Sequence, residues 1–522
     1  MADVVVIGAG HNGLVAATLL ARAGLAVTVL ERAGVVGGAC RTEHPFGKAP
    51  ALAASTGAYL LGLMPPELLT TLGLDLPLVR RDPHYFLPTL DGRHLLLGAD
   101  RAEARRLFAE FFSDRDAAAD EALGAEIGAL RDDLAPAWLT EPLPVPDTAE
   151  RYIRPALRET FVNLVTGSAM DYLQRFGFAS ETVLAMYAVT DGMPGLTGSP
   201  WTAGSGHNFL VHNMCRLPGA GGTWMVVRGG MGTVTTRLAE LATRAGAQLR
   251  LESEVDSIVL AAGAAAGVST VDGEELPARA VLVATDAYRL PGLLGPAAPA
   301  DLVARVDGYA ARSAGQTMKV NLALRGLPRF AALPADRGQH GTTVHLLPPP
   351  AADGSVLTAL RRAFDDASAG RLPDTPPLEW YIHSTVDPAM RDEAGNHSSA
   401  LFVQGVPHEP AGSSWPVEKA AYTDRLLDLV EAYAPGTREI LVDVHALTPP
   451  EIRDHFGITS ANIFHVDNSI SFTDRMPYAV GVPGVYAGAA GCFPAGSVIG
   501  VAGHNAARRI CADLGVSDQV SG

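Results

Sequence analysis

The chain opens on an unbroken apolar run, residues 4–7, too short for a helix and without the alternation of a half-exposed strand. It predicts a strand buried on both faces of a parallel sheet. The run stops at Gly8-Ala9-Gly10-His11-Asn12-Gly13. Apolar positions then return at helical spacing over 14–23, and a second apolar run over 26–30 predicts the next strand. Strand, glycine-rich turn, helix and strand make the start of a βαβ unit. Further along, the same patterning predicts strands at 85–88, 93–97, 247–251, 254–258, 280–285, 318–324, 378–382 and 485–488, and helices at 101–134, 234–245, 417–434 and 501–510. The stretch from Pro136 to Pro146 reads as a proline-rich break, and 261–266 and Pro348 to Pro350 as surface loops.

The opening turn carries the first chemistry. In a G-x-G-x-x-G, Gly8 permits the tight turn, Gly10 lets backbone approach a pyrophosphate and Gly13 lets helix pack on strand. The N–H groups of His11, Asn12 and Gly13 stand at the positive end of the helix, where phosphate is stabilised. Glu31 ends the second strand 18 residues beyond Gly13, near the spacing at which a carboxylate meets an adenosine ribose. Strand, turn, helix and acid together predict a dinucleotide site.

The residues after Glu31 favour FAD over NAD. Arg32 leads into a loop whose Gly37 and Gly38 can pass close to a pyrophosphate, and the whole reads E-R-x-x-x-x-G-G-x-x-x-T. This resembles the start of the flavin amine oxidase and phytoene desaturase superfamily. The resemblance implies that Gly37 and Gly38 continue the wrap around FAD and that Arg41 and Thr42 lie near the flavin. Residues 485–510 resemble the closing motif of the same superfamily and bring Gly488, Val498 and Ile499 to the cofactor. Ala495 and Ser497 stand where the carotenoid-desaturase branch has glycine, and Ala489 where amine oxidases carry an acid. The stretch from Arg228 through Gly229, Gly230 and Gly232 resembles the middle segment, in which Val255 presents backbone to the adenine; Ala284, on the following strand, is counted with the site. No buried strand is expected to lead into Gly229, and no separate NAD(P)H domain is found. MDYLQRFG, DGMPGLTGSPWTAGS, NFLVHNM, HSTVDPAM and NIFHVDNS resemble a bacterial phytoene-desaturase-like subfamily related to a pyridine-nucleotide-disulfide-oxidoreductase-domain protein.

The expected fold is therefore α/β. A Rossmann-type FAD-binding domain is split over 1–75, 225–300 and 455–522, and an α+β substrate domain is inserted as 76–224 and 301–454. Composition narrows the partners. A net charge of −16 over 522 residues, without a dense Lys/Arg run, argues against nucleic acid. None of the four cysteines forms C-x-x-C, so no metal site is signalled. Residues 468–477 hold no cysteine where some amine oxidases anchor flavin, so non-covalent FAD is expected. Residues 476–503 carry no charge, but Pro477, Pro483, Pro494 and seven glycines argue against a membrane span. The first strand begins at once, with no leader before it, which points to the cytoplasm; peripheral membrane contact and oligomeric state stay open.

The resemblance implies an FAD-dependent oxidoreductase that dehydrogenates a C–C bond of a hydrophobic small molecule by hydride transfer to flavin, with oxygen or a quinone as electron acceptor. Amine or amino-acid oxidation, redox-neutral isomerisation and a non-catalytic flavoprotein are the alternatives. His465 and Asp467, just upstream of the closing motif, together with Tyr478 and Trp224, are the catalytic and pocket candidates. His11 is read as a backbone-placed neighbour of phosphate. His207 and His212 are five residues apart, poor ligand spacing on a helix.

Overall fold

The computed structural model describes residues 2–517. Strand Ala2–Ile7 lies at the centre of a parallel array running 248–250, 27–30, 2–7, 275–283, 485–487. Val6 stands opposite Val29 on one side and Leu282 on the other. The array is buried over Val4 to Ile7, Val27 to Leu30, Ala280 to Val283 and Val485 to Ala487, which is why these strands read as continuous apolar runs. Strand Val485–Ala487 comes from the far end of the chain and completes the array beside Glu275–Val283.

Helix His11–Arg22 packs between helices Gly232–Arg244 and Val501–Asp513. The last contact is close. A Cβ on Gly503 would sit 2.0 Å from the Asn12 carbonyl oxygen, so only glycine lets these helices approach so far.

A second, largely antiparallel sheet runs 441–447, 317–324, 397–404, 378–381, 343–346, 85–88, 94–97. Strands Thr317–Leu324 and His397–Gln404 are buried along their whole length. A helical layer from 101 to 212 packs against it.

Four expectations change. The helix expected over 101–134 is two helices, Arg101–Phe111 and Asp114–Trp138, because the Ser113 hydroxyl accepts from Asp116 N and starts a new one. Pro136 does not break the second; it lies inside it, two residues before its end, and removes only the single N–H bond that its own position would make. The expected loop 261–266 is the tip of a hairpin: strands Val255–Ala261 and Ala264–Thr270 pair through Ala262 and Gly263, both at positive φ, as a two-residue hairpin turn requires. Finally, a short buried strand, Val226–Val227, does lead toward Gly229, but it pairs with Leu78–Val79 outside the parallel array.

Candidate functional site

The beginning, middle and end of the chain meet around one cavity of about 390 Å³, within the usual range for small-molecule sites. Gly8, Gly10, His11 and Asn12 line it, then Glu31 to Ala33 and Gly37 to Arg41, then Ser253 to Val255 and Ala284 to Asp286, and finally Ala489, Ala490, Ser497 and Val498.

Local geometry explains why the glycines are there. Gly8 has φ +105°, and its N–H donates to Leu30 O at 2.8 Å, which turns the chain at the strand end. Gly37 N donates to Ala9 O at 2.9 Å, laying the double-glycine loop along the first turn. A Cβ on Gly13 would come within 2.1 Å of Gly8 O, so Gly13 serves helix–strand packing behind the cavity. Gly10 is different. Its φ of −71° suits any residue, and a Cβ there would meet nothing within 4 Å. Its missing side chain leaves the cavity open where a pyrophosphate needs backbone contact.

Glu31 braces the same turn. One carboxylate oxygen accepts from Ala9 N at 2.8 Å and the other from Ala33 N at 3.0 Å, leaving lone pairs for ribose hydroxyls. Glu31→Ala is expected to weaken FAD binding about tenfold. The ratio of flavin absorbance to protein after dialysis checks it; unchanged retention counts against the ribose contact.

Two buried imidazole nitrogens on the cavity wall, His11 Nε2 and His465 Nδ1, have no partner within the protein. Burial, with His465 adding to it, pushes the His11 pKa down to about 4, so the ring is neutral at physiological pH. His465 has φ +63°, an uncommon conformation for a residue other than glycine. The open cradle at Gly10, the carboxylate at Glu31 and these orphaned ring nitrogens fit a dinucleotide with a polar ring system. Gly8, Gly10, Glu31 and Gly37 to Arg41 would hold it.

The remaining walls come mainly from the second sheet and the helical layer. Leu60, Pro194, Met318, Phe402, Ile463 and Phe464 give them an apolar character. Among them stand polar groups that the sequence pattern did not single out. Lys319 is 5% exposed; its Nζ donates to Gly57 O at 3.3 Å and lies 3.7 Å from the centre of the Tyr59 ring. Burial holds its pKa well below the ordinary lysine value. The Tyr59 and Tyr381 rings are 4.6 Å apart. The Tyr381 hydroxyl donates to Glu379, whose carboxyl is pushed up to about 8, chiefly by burial, so it keeps its proton at neutral pH. Arg81 is also 5% exposed. Lys319 and Glu379 sit in strands whose alternation looks like plain core, and only the register of the second sheet turns them toward the cavity.

Several residues singled out from sequence lie elsewhere. Asp467 is buried off the cavity wall: its carboxylate accepts from Thr197 N and Oγ1 at 2.8 and 2.9 Å and from Ser469 N at 2.8 Å, which makes it a loop anchor. Tyr478 is likewise structural, donating to Phe493 O and accepting from Asn505 Nδ2, both at 3.0 Å. Thr42 ties two loops, accepting from Gly232 N and donating to Gly229 O. Gly488 packs on Ala506 and Leu282, and Ile499 lies in the apolar core. Trp224, His465, Arg32, Arg41, Val255, Ala284 and Val498 line the cavity; so does His212, whereas His207 Nδ1 bonds to Asn468 O at 2.7 Å.

A parallel array with a glycine-rich first turn and a neighbouring walled chamber defines a dinucleotide-binding protein. Residues 13–359 match the family model for flavin containing amine oxidoreductases, and the chain belongs to that family. It is an FAD-dependent oxidoreductase. It is 34% identical to the pyridine nucleotide-disulfide oxidoreductase domain-containing protein 2 of Mus musculus, over 98% of this chain and 94% of the mouse protein. It is 26% identical to a hydroxyneurosporene desaturase of Cereibacter sphaeroides, over 98% of each. Among solved structures, putrescine oxidase bound to putrescine superposes with a TM-score of 0.57 at 16% identity over 99% of both chains, which concerns the fold alone.

Proposed function

We propose that this enzyme dehydrogenates a C–C bond of a hydrophobic small molecule. FAD seats in the part built from 1–75, 225–300 and 455–522, and substrate in the part built from 76–224 and 301–454. The apolar and aromatic wall formed by Leu60, Met318, Trp224, Phe402, Ile463 and Phe464 carries this reading. The similarity to a hydroxyneurosporene desaturase supports it. Bound in the cradle, FAD supplies the two-electron acceptor for hydride leaving a C–H bond. Oxygen or a quinone reoxidises the enzyme, and the cytoplasm is its compartment. Among the described residues no helix is long and apolar enough to cross a membrane.

The chain's own residues exclude water, orient the substrate and take the proton lost from the neighbouring carbon. Lys319 is that proton acceptor, because its buried amine is held toward the neutral form and faces the cavity. Lys319→Met is expected to lower kcat about 100-fold while flavin content holds. The direction of the shift sets the sign of the pH effect: protonated Lys319 cannot accept, so activity falls as pH drops through its lowered pKa, and this acid limb disappears in the variant. A stopped-flow pH profile of flavin reduction checks both.

The aromatic pair Tyr59 and Tyr381 favours a second reading, amine oxidation. Against it stands Arg81, a buried guanidinium on the same wall that would repel an ammonium. Anaerobic bleaching of the yellow enzyme by a polyene and not by alkylamines supports desaturation; the reverse pattern, with hydrogen peroxide formed in air, selects amine oxidation.

A further inference from the structure

On the reading that this cavity takes an apolar substrate, we propose that Arg81 is an anchor for a carboxylate, so that the substrate is a hydrophobic carboxylic acid. Arg81 lies on the cavity wall beside Trp224, Thr343 and Tyr381. Its Nε donates to the Trp224 carbonyl at 3.3 Å and one Nη1 hydrogen to Thr343 Oγ1 at 2.9 Å. These two bonds fix the plane of the guanidinium. They leave both Nη2 hydrogens and one Nη1 hydrogen without a protein partner, and a carboxylate binds a guanidinium by taking two such N–H groups.

The charge on that edge is unanswered. Removing a guanidinium from water is costly and proteins usually offset the cost with an acid. Among the described residues no carboxylate oxygen lies within 4 Å of Arg81, although surface arginines throughout the chain have such partners. The two acids on the same wall are engaged elsewhere. Glu379 accepts from Tyr381 and stands 3.8 Å from His345 Nε2. Asp191 accepts from Asn213 Nδ2 at 3.3 Å and stands 4.0 Å from His212 Nδ1. Burial pushes Glu379 up to about 8 and Asp191 up to about 7, and Glu379 acts on Arg81 only through space, without an ion pair.

A permanently charged group held in place, desolvated and unpaired beside an apolar wall is arranged to receive an anion. An apolar wall next to a forked cation selects an acid with a hydrocarbon body. A neutral hydrocarbon would leave the guanidinium as it is, and an amine would add a second positive charge.

The test uses holoenzyme with decanoate, decanol and decylamine as probes, each titrated at pH 7.5 against the perturbation of the flavin spectrum. Wild type is expected to bind decanoate at least about tenfold more tightly than decanol, and decylamine most weakly. In Arg81→Met the preference for decanoate disappears while decanol affinity stays; in Arg81→Lys part of it returns. Equal binding of decanoate and decanol by wild type, or an undiminished preference in Arg81→Met, overturns the anchor while leaving an apolar site in place. If neither probe perturbs the flavin, the apolar-substrate reading falls and the anchor with it. The wild-type comparison decides the matter even if the variants fold poorly.

Discussion

Gly10→Val is expected to give a folded protein that has lost at least about 90% of its flavin. The backbone at Gly10 has φ −71°, open to valine, and the added Cβ meets no protein atom within 4 Å, so neither the backbone nor the first side-chain carbon is resisted by the fold. The isopropyl group instead projects into the cavity at the first turn, where a pyrophosphate must come within hydrogen-bonding distance of backbone. Circular dichroism and size-exclusion behaviour should match wild type, while the visible absorbance of the purified protein is lost. Its melting temperature should equal that of flavin-stripped wild type, because only the ligand's contribution is missing. A yellow Gly10→Val protein would mean that the dinucleotide does not use this turn.

Gly503→Ala is expected to act in the opposite way, destabilising the fold itself by about 3 kcal/mol. The added methyl would be 2.0 Å from Asn12 O, a backbone atom of helix His11–Arg22 that cannot rotate aside. Helix Val501–Asp513 must then shift outward, opening the interface that it shares with the opening helix. Flavin is lost as a secondary effect, since Asn12 on that opening helix lines the cavity. Chemical denaturation should give a lower midpoint with an unchanged slope. A variant as stable as wild type would show that the two helices have room to spare. Together the two glycines separate cofactor seating from folding, which flavin content alone does not do.

The first of these effects was legible in the sequence and the second was not. Gly10 stands in a motif whose spacing already states its purpose, with a strand before it, a helix after it and Glu31 at the right remove. Gly503 is one small residue in a helix of small residues, and its role emerges only from which helix it meets. The same division runs through the site. Val255 and Val498 reach the cavity where motif resemblance places them, because those motifs are local stretches of backbone. Asp467 and Tyr478 were drawn from the same neighbourhood, yet their polar atoms are taken up by Thr197, Ser469, Phe493 and Asn505, contacts that span up to 270 residues of sequence. Lys319, Glu379 and Arg81 escaped notice for the converse reason. Each sits in or beside an apolar strand, and pairing of Thr317–Leu324 with His397–Gln404 and of Leu378–Tyr381 with Thr343–Leu346 decides which side chains turn inward.

The parallel array gains its last member, Val485–Ala487, and the opening helix its cover, Val501–Asp513, only from the far end of the polypeptide. During synthesis, the N-terminal turn that contacts phosphate leaves the ribosome hundreds of residues before the segment that walls it in. The cavity wall at Ala489, Ala490, Ser497 and Val498 therefore forms only once those residues have been made, and a nascent chain stalled before residue 485 lacks it.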